Sequence, residues 1–457
     1  MWFYKARNKV SRKERLILKE DVMTIKKVSV IGAGLAGCEA SYQLAKRGIT
    51  VDLYDIKPNN FTSAHSNPNF AEIVCSNSLK STDITTASGL LKKELELFDS
   101  LILKVAFNCS VPAGNALAVD REKFAQEVTN SIKSFKNINF ISKEVTTLPE
   151  GIVIVATGPL TTSPLTENLT KLLKTDNLHF YDASSPIIDS STIDFNYAFI
   201  KDRYDKGSGD YINCPMNKEE YLTFYNELIK AETVQLKNFE KREIFEGCMP
   251  VEIMAKRGED SLRYGPLKPV GLAHPETNQK FYAVVQLRKE DNTNSLYNMV
   301  GFQTNLTFGE QKRIFSLIPG LKQANFVKYG VMHRNTFVNA PELLKNTFQL
   351  KTDDNIFIAG QLSGVEGYME STMSGLIAGI NAYLMLNNKP LLNLSSNTMT
   401  GAIINYITTC EAKRFQPMNA NFGIVCPLAE RERDDKIKKQ KLSNRAIEEV
   451  ENVVKDI

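Results

Sequence analysis

Lys26 to Asp55 reads KKVSVIGAGLAGCEASYQLAKRGITVDLYD, and this stretch decides the fold. Val28 to Ile31 is a short run rich in β-branched residues, the profile of a fully buried parallel strand. It runs into Gly32-Ala33-Gly34-Leu35-Ala36-Gly37 and then into a segment with helical spacing that stops at Gly48. A second apolar strand, Thr50 to Tyr54, ends on Asp55. Gly32 permits the tight turn, Gly34 lets a pyrophosphate approach the backbone, and Gly37 lets helix and strand pack closely. Asp55 falls about twenty residues on, where a ribose hydroxyl needs an acceptor. A bare GxGxxG says little. One flanked by strand, helix, strand and terminal acid is a dinucleotide-binding βαβ unit.

The rest of the chain is consistent with a large globular protein. Its 457 residues are enough for two or three domains, with 42% apolar and 24% charged residues. No apolar run reaches the length of a membrane span and no signal peptide is evident, so no membrane association is expected. Seven cysteines at irregular spacing point to a reducing cytoplasm, and with four histidines and no CxxC cluster no metal is expected. A net charge of +4 permits a nucleic-acid partner without requiring one.

The fold class expected is α/β: a two-part Rossmann-like FAD-binding domain, a doubly wound parallel sheet, with an inserted smaller α+β domain. The divisions read from composition are an N-terminal extension at 1–23 and the first part of the FAD domain at 24–180. An insertion at 181–324, the second part of the FAD domain at 325–400 and a charged helical segment at 401–457 follow. Within the first part, one helix is expected over Gly89 to Leu103, another over Arg121 to Phe135 and a strand over Ile152 to Ala156. Residues before Met23 lack turn chemistry and read as an upstream extension of the reading frame. In the insertion, Lys218 to Ile229 reads as helix, and Tyr282 to Leu287 and Leu296 to Gly301 as strands. A late strand, Asn355 to Ala359, precedes the loop Gly360-Gln361-Leu362-Ser363-Gly364-Val365-Glu366-Gly367-Tyr368, a second anion cradle before a helix. Two loops closing on one dinucleotide favour FAD over a simple nicotinamide dehydrogenase. Gly360, Gln361, Gly364 and Gly367 therefore join Gly32 to Gly37 and Asp55 as expected cofactor contacts.

Chemistry must come from side chains near the flavin ring. Cys75, beside Ser76-Asn77-Ser78, and Cys248, between Gly247 and Met249-Pro250, sit in loops where a thiol can be reactive. The other five cysteines read as small buried hydrophobes. Disulfide-reductase chemistry needs two cysteines within a few residues, and none are so placed. Cations interleaved with aromatics (Lys256-Arg257, Arg263, Lys268, Arg288 and Lys289 with Tyr264, Phe281 and Tyr282) fit phosphate contact with base stacking, although interspersed acids fit a solvated face equally.

The motifs GAGLAGCEA, FAEIVCSNSLKS, SVPAGNALAVDR, FEGCMPVEIMAKRG, YGVMHRNTF and FIAGQLSGVEGYMEST together resemble the folate- and FAD-dependent tRNA uracil-C5 methyltransferases, the bacterial TrmFO group formerly called Gid. The resemblance runs from about Lys26 past Val425, departing only before Met23 and at Cys426, where proline is expected. It implies transfer of one carbon from 5,10-methylenetetrahydrofolate through FAD to C5 of the T-loop uridine of tRNA, with NADPH or NADH as reductant. It also implies that Cys75 and Cys248 are the two essential cysteines, Cys248 adding to uracil C6 and Cys75 acting beside the flavin, with the roles exchangeable. Arg288 and His333-Arg334 become candidates for the folate glutamate carboxylates. Two alternatives stand beside this: the same chemistry on a ribosomal RNA uridine, and an NAD(P)H-dependent flavin oxidoreductase without RNA.

Overall fold

The structure, a computed structural model, describes residues 26–62, 64–174, 178–205, 209–234, 249–291 and 293–457. The N-terminal extension, Cys248 and the side chains of His333 and Arg334 lie outside what it describes.

Four strands open the fold: β1 (Lys27–Ile31), β2 (Thr50–Asp55), β3 (Ile138–Ser142) and β4 (Ile152–Val155). Six more follow, β5 (Ile187–Asp189), β6 (Phe199–Ile200), β7 (Tyr211–Met216), β8 (Ala283–Lys289), β9 (Leu296–Met299) and β10 (Phe326–Lys328), before the chain returns as β11 (Ile356–Ile358). They form two sheets, ordered β11–β4–β1–β2–β3 and β6–β7–β8–β9–β5–β10. Every pairing in the first is parallel and every pairing in the second antiparallel. Val28, Val30, Val153, Ile154 and Val155 are wholly buried, because a parallel sheet is covered on both faces. Each sheet has its own apolar core. The ribbon of Leu178–Ala183 against Met332–Phe337 marks where the chain leaves the first sheet and comes back.

Helix α1 (Leu35–Ala45) follows β1, and α2 (Ala87–Leu97), α3 (Leu101–Asn108) and α4 (Arg121–Ser134) come before β3. The single helix expected over Gly89 to Leu103 is thus two. Asp99 takes a positive φ of 64° and Ser100 caps α3 by accepting the Leu103 N–H at 3.2 Å, so the apolar spacing continues across a break the side chains impose. Helix α5 (Tyr368–Leu386) crosses α1 at backbone contact: a Cβ on Gly375 would stand 2.1 Å from the Ala36 carbonyl oxygen.

Two features lie across the divisions read from composition. β10 pairs with β5, so the second sheet runs past residue 324 to Lys328. The segment from 401 begins inside an apolar helix, Met399–Thr409, with Ile403 and Ile407 wholly buried; only Asp435–Val454 is the charged helix. Glu94 of α2 ties the apolar helix down by accepting from the Met399 and Thr400 N–H groups at 2.7 and 2.8 Å, and burial pushes its carboxyl up to about 7.

Candidate active site

The carboxyl ends of β1, β2, β4 and β11 open into one cavity of about 570 Å³, lined by Gly32, Asp55, Ala156-Thr157-Gly158 and Gly360. β1 and β4 flank the point where the strand order reverses, the place an open α/β sheet leaves a crevice for a ligand.

The sequence dictates the crevice locally. Gly32 turns at φ +102°, and a Cβ there would meet the Ala156 carbonyl oxygen at 2.4 Å. Gly37 is closer still to its neighbour: a Cβ would lie 1.7 Å from the Gly32 carbonyl oxygen, so the helix could not leave the loop at this angle with any other residue. Gly37 therefore shapes the turn without lining the cavity, whereas Gly32, Ala33, Gly34, Leu35 and Ala36 all line it. Gly34 faces open space, and α1 begins there with no side chain on its first N–H groups and no acid in its first turn. Those free donors at a helix N-terminus are an anion cradle. Asp55 accepts the Ala33 N–H at 2.6 Å and the Lys57 N–H at 2.9 Å, one on each oxygen, which aims the carboxylate along the loop with lone pairs left for hydroxyls. Residues, open cradle and aimed acid together fit FAD.

The late loop divides in the same way. Gly360, Gln361 and Gly367 line the cavity, and α5 starts on Gly367 without a side-chain cap. Gln361 is held by Glu366. Gly364 is not among the lining residues; it packs under Phe415, whose Cζ would be 2.3 Å from a Cβ there.

Cys75 lines the cavity beside Tyr368, whose hydroxyl oxygen accepts the Cys75 N–H at 2.9 Å. The thiol loop is fixed by Arg121, the first residue of α4, which donates to the Ile73 carbonyl at 2.8 Å and the Cys75 carbonyl at 2.7 Å. Arg121 is paired with Glu290, 15% and 3% exposed respectively at the side chain, just beyond β8. Burial pulls the Arg121 pKa down, but the Glu290 carboxylate outweighs it and holds the guanidinium above its ordinary value. Two more stitches join the same loop to β8: Arg288 donates to Ser76 Oγ at 2.6 Å and to Asn77 Oδ1 at 3.1 Å, while Asn77 donates to the Lys289 carbonyl at 2.9 Å. Residues 75–77 of the first unit thus lie against 288–290 of the insertion. Lys328 of β10 faces this seam, its pKa lowered by burial and by the Arg121 charge.

None of the other described cysteines lines this cavity. Burial raises Cys38 and Cys109 and pushes the Cys214 thiol up to about 12, as for small hydrophobes. The basic-aromatic interleaving closes partly on itself: the Arg263 guanidinium lies 3.6 Å from the Tyr282 ring centre, and Phe281 stacks on Phe199. Sequence reasoning missed Arg121, Glu290 and Asn298. Arg121 opens a helix and Glu290 ends a strand, where charges are ordinary, so only Asn298, a polar residue between Tyr297 and Met299 in an apolar strand, carried a signal.

A family model described as "Glucose inhibited division protein A" matches residues 27–390. The chain is 53% identical over 430 residues to the methylenetetrahydrofolate--tRNA-(uracil-5-)-methyltransferase TrmFO of Anoxybacillus flavithermus, covering 94% of this chain and all of the relative. It is 54% identical to the protein of the same name from Exiguobacterium, over 94% of this chain and 99% of that one. Among solved structures, GidA of Aquifex aeolicus superposes with a TM-score of 0.68 at 15% identity, over 94% of this chain and 74% of that chain.

Proposed function

This chain belongs to the TrmFO family of methylenetetrahydrofolate--tRNA-(uracil-5-)-methyltransferases, and we propose that it methylates C5 of the T-loop uridine of tRNA through the cavity described. The observation that carries the reading is that Cys75 lines the same cavity as the GAGLAG cradle and the late glycine loop. A thiol, a dinucleotide cradle and a folate-dependent family meet in one place. When bound, FAD supplies the ring that carries the one-carbon unit from 5,10-methylenetetrahydrofolate, with NADPH or NADH as the source of electrons.

The chain's own residues would act as follows. Gly32 to Ala36 and the open N-terminus of α1 hold the pyrophosphate, and Asp55 holds a ribose. Uracil C5 is a weak nucleophile until a thiolate adds at C6; Cys248 is assigned to that addition. Cys75, held by Tyr368 and Arg121, takes the C5 proton. We divide the molecule at the ribbon 178–183/332–337 into a cofactor unit and an RNA-facing insertion. Support for the second role comes from exposed rings on the insertion, Phe195, Tyr197, Tyr204, Tyr264 and Phe308, with Lys322 5.4 Å from the centre of Tyr197. Exposed rings beside cations suit single-stranded bases. The reading locates the enzyme in the cytoplasm with its tRNA.

Methylene-labelled folate offered with NAD(P)H to unmodified tRNA and, separately, to unmodified ribosomal RNA tests this. Label is expected in tRNA alone, and Cys75→Ser should abolish it. Label confined to ribosomal RNA would shift the substrate, and label in neither would overturn the reading.

A further inference from the structure

Two donors on the insertion side of the cavity lack the partner their burial requires. Arg288 is 7% exposed and Asn298 3%, they stand opposite each other in register across β8 and β9, and both line the cavity. The Arg288 guanidinium donates to two neutral groups, Ser76 Oγ and Asn77 Oδ1; among the described residues no carboxylate pairs with it. The Asn298 amide nitrogen is buried with no acceptor among the described residues. A buried cation without counter-charge and a buried amide without acceptor each cost stability in an empty site. The chain does own a carboxylate two residues along, Glu290, and directs it to Arg121 instead. Nothing among the described residues supplies that acceptor, and a ligand that carries negative charge would.

We propose that Arg288 and Asn298 form an oxyanion site for the uracil ring, receiving the C4 carbonyl oxygen as it becomes an enolate. This rests on the uracil-methylating reading above. When the attacking thiolate's lone pair forms the S–C6 bond, the C5=C6 pair moves to C4=C5 and the C4=O pair comes to rest on O4. The charge that leaves sulfur appears on that oxygen, with no net oxidation or reduction. A guanidinium and an amide N–H placed beforehand at that point stabilise the addition most where water is excluded. Position favours the base over other anions. The phosphate cradle is on the opposite wall, and a flexible carboxylate tail does not require donors nine-tenths buried next to the Cys75 loop. The Ser76 bond ties Arg288 to the loop that carries Cys75, the group assigned to the C5 proton.

The test follows tritium exchange from [5-³H]uridine in unmodified tRNA without folate, in which thiolate addition at C6, protonation of C5 by solvent and loss of the tritium report the addition apart from methyl transfer. Arg288→Gln should lower release about 100-fold and Asn298→Ala about tenfold, with FAD content and folate affinity as in the parent. In Arg288→Ala, added guanidinium should restore part of the release, which a purely structural role would not allow. Unchanged tritium release with weakened folate binding would overturn the proposal and return Arg288 to the folate carboxylates. A parent enzyme that neither releases tritium nor methylates any RNA would instead sink the underlying reading.

Discussion

On the side of the parallel sheet, the part of the cavity wall that cradles a phosphate is main chain: the Gly32–Ala36 turn, the bare start of α1 and the Gly360 loop. On the insertion side it is side chain: Arg288, Asn298 and Gln303 projecting from antiparallel strands or the turn beyond them. The first wall satisfies its own geometry and waits only for an anion at exposed N–H groups. The second carries a buried guanidinium bonded to neutral acceptors and a buried amide nitrogen with no acceptor among the described residues. A common cofactor can be held by backbone, which any side chain would obstruct. A reacting base has to be held by groups that respond to charge moving across it, and only side chains placed by register do that.

Gly37→Ala strikes the main-chain wall hardest. With no room for a Cβ 1.7 Å from the Gly32 oxygen, α1 must shift, at more than about 4 kcal/mol. Thermal unfolding should show a large drop and purified protein should lack yellow colour. Gly34→Ala sharpens the contrast, because nothing lies within 4 Å and its φ of −76° suits alanine. Its melting temperature should hold while FAD affinity falls; equal losses in both variants would mean Gly34 is structural too.

Glu290→Ala attacks the seam between the walls. Leaving Arg121 charged and buried without its partner should cost about 3–5 kcal/mol. Because Arg121 also holds the Cys75 carbonyl, iodoacetamide should label Cys75 faster in this variant at temperatures where it stays folded. Labelling at the parent rate would show that Tyr368 and the Arg288 and Asn77 bonds fix the loop without Arg121. Arg313→Ala marks the far edge of the insertion and the smallest effect. Arg313 pairs with Glu227 and Glu310 but is 47% exposed, so the loss should stay below about 1 kcal/mol, with methyl transfer unaltered.

The parallel sheet, the glycine turn and the acid at its second strand were legible because each is a local pattern: spacing of apolar residues, absence of Cβ, an acid at a strand end. Cys75 was legible for the same reason, as a thiol in a polar loop. The broken helix at Asp99 was not, since the apolar spacing runs on through α2 and α3 while one backbone angle interrupts it. The Phe415 ring packed against Gly364 was not legible either, because a glycine that admits an aromatic ring looks the same in sequence as one that admits a phosphate.

By itself the sequence determined the cofactor half of this protein, since short-range sterics and hydrophobic periodicity act within a few dozen residues. Only the tertiary structure decided that residues 75–77 meet 288–290, that Arg121 rather than Arg288 receives the Glu290 carboxylate, and that Asn298 ends without an acceptor. Those outcomes depend on strand register and on packing between segments some two hundred residues apart in the chain, where charge and hydrogen bonds are allotted by distance in space.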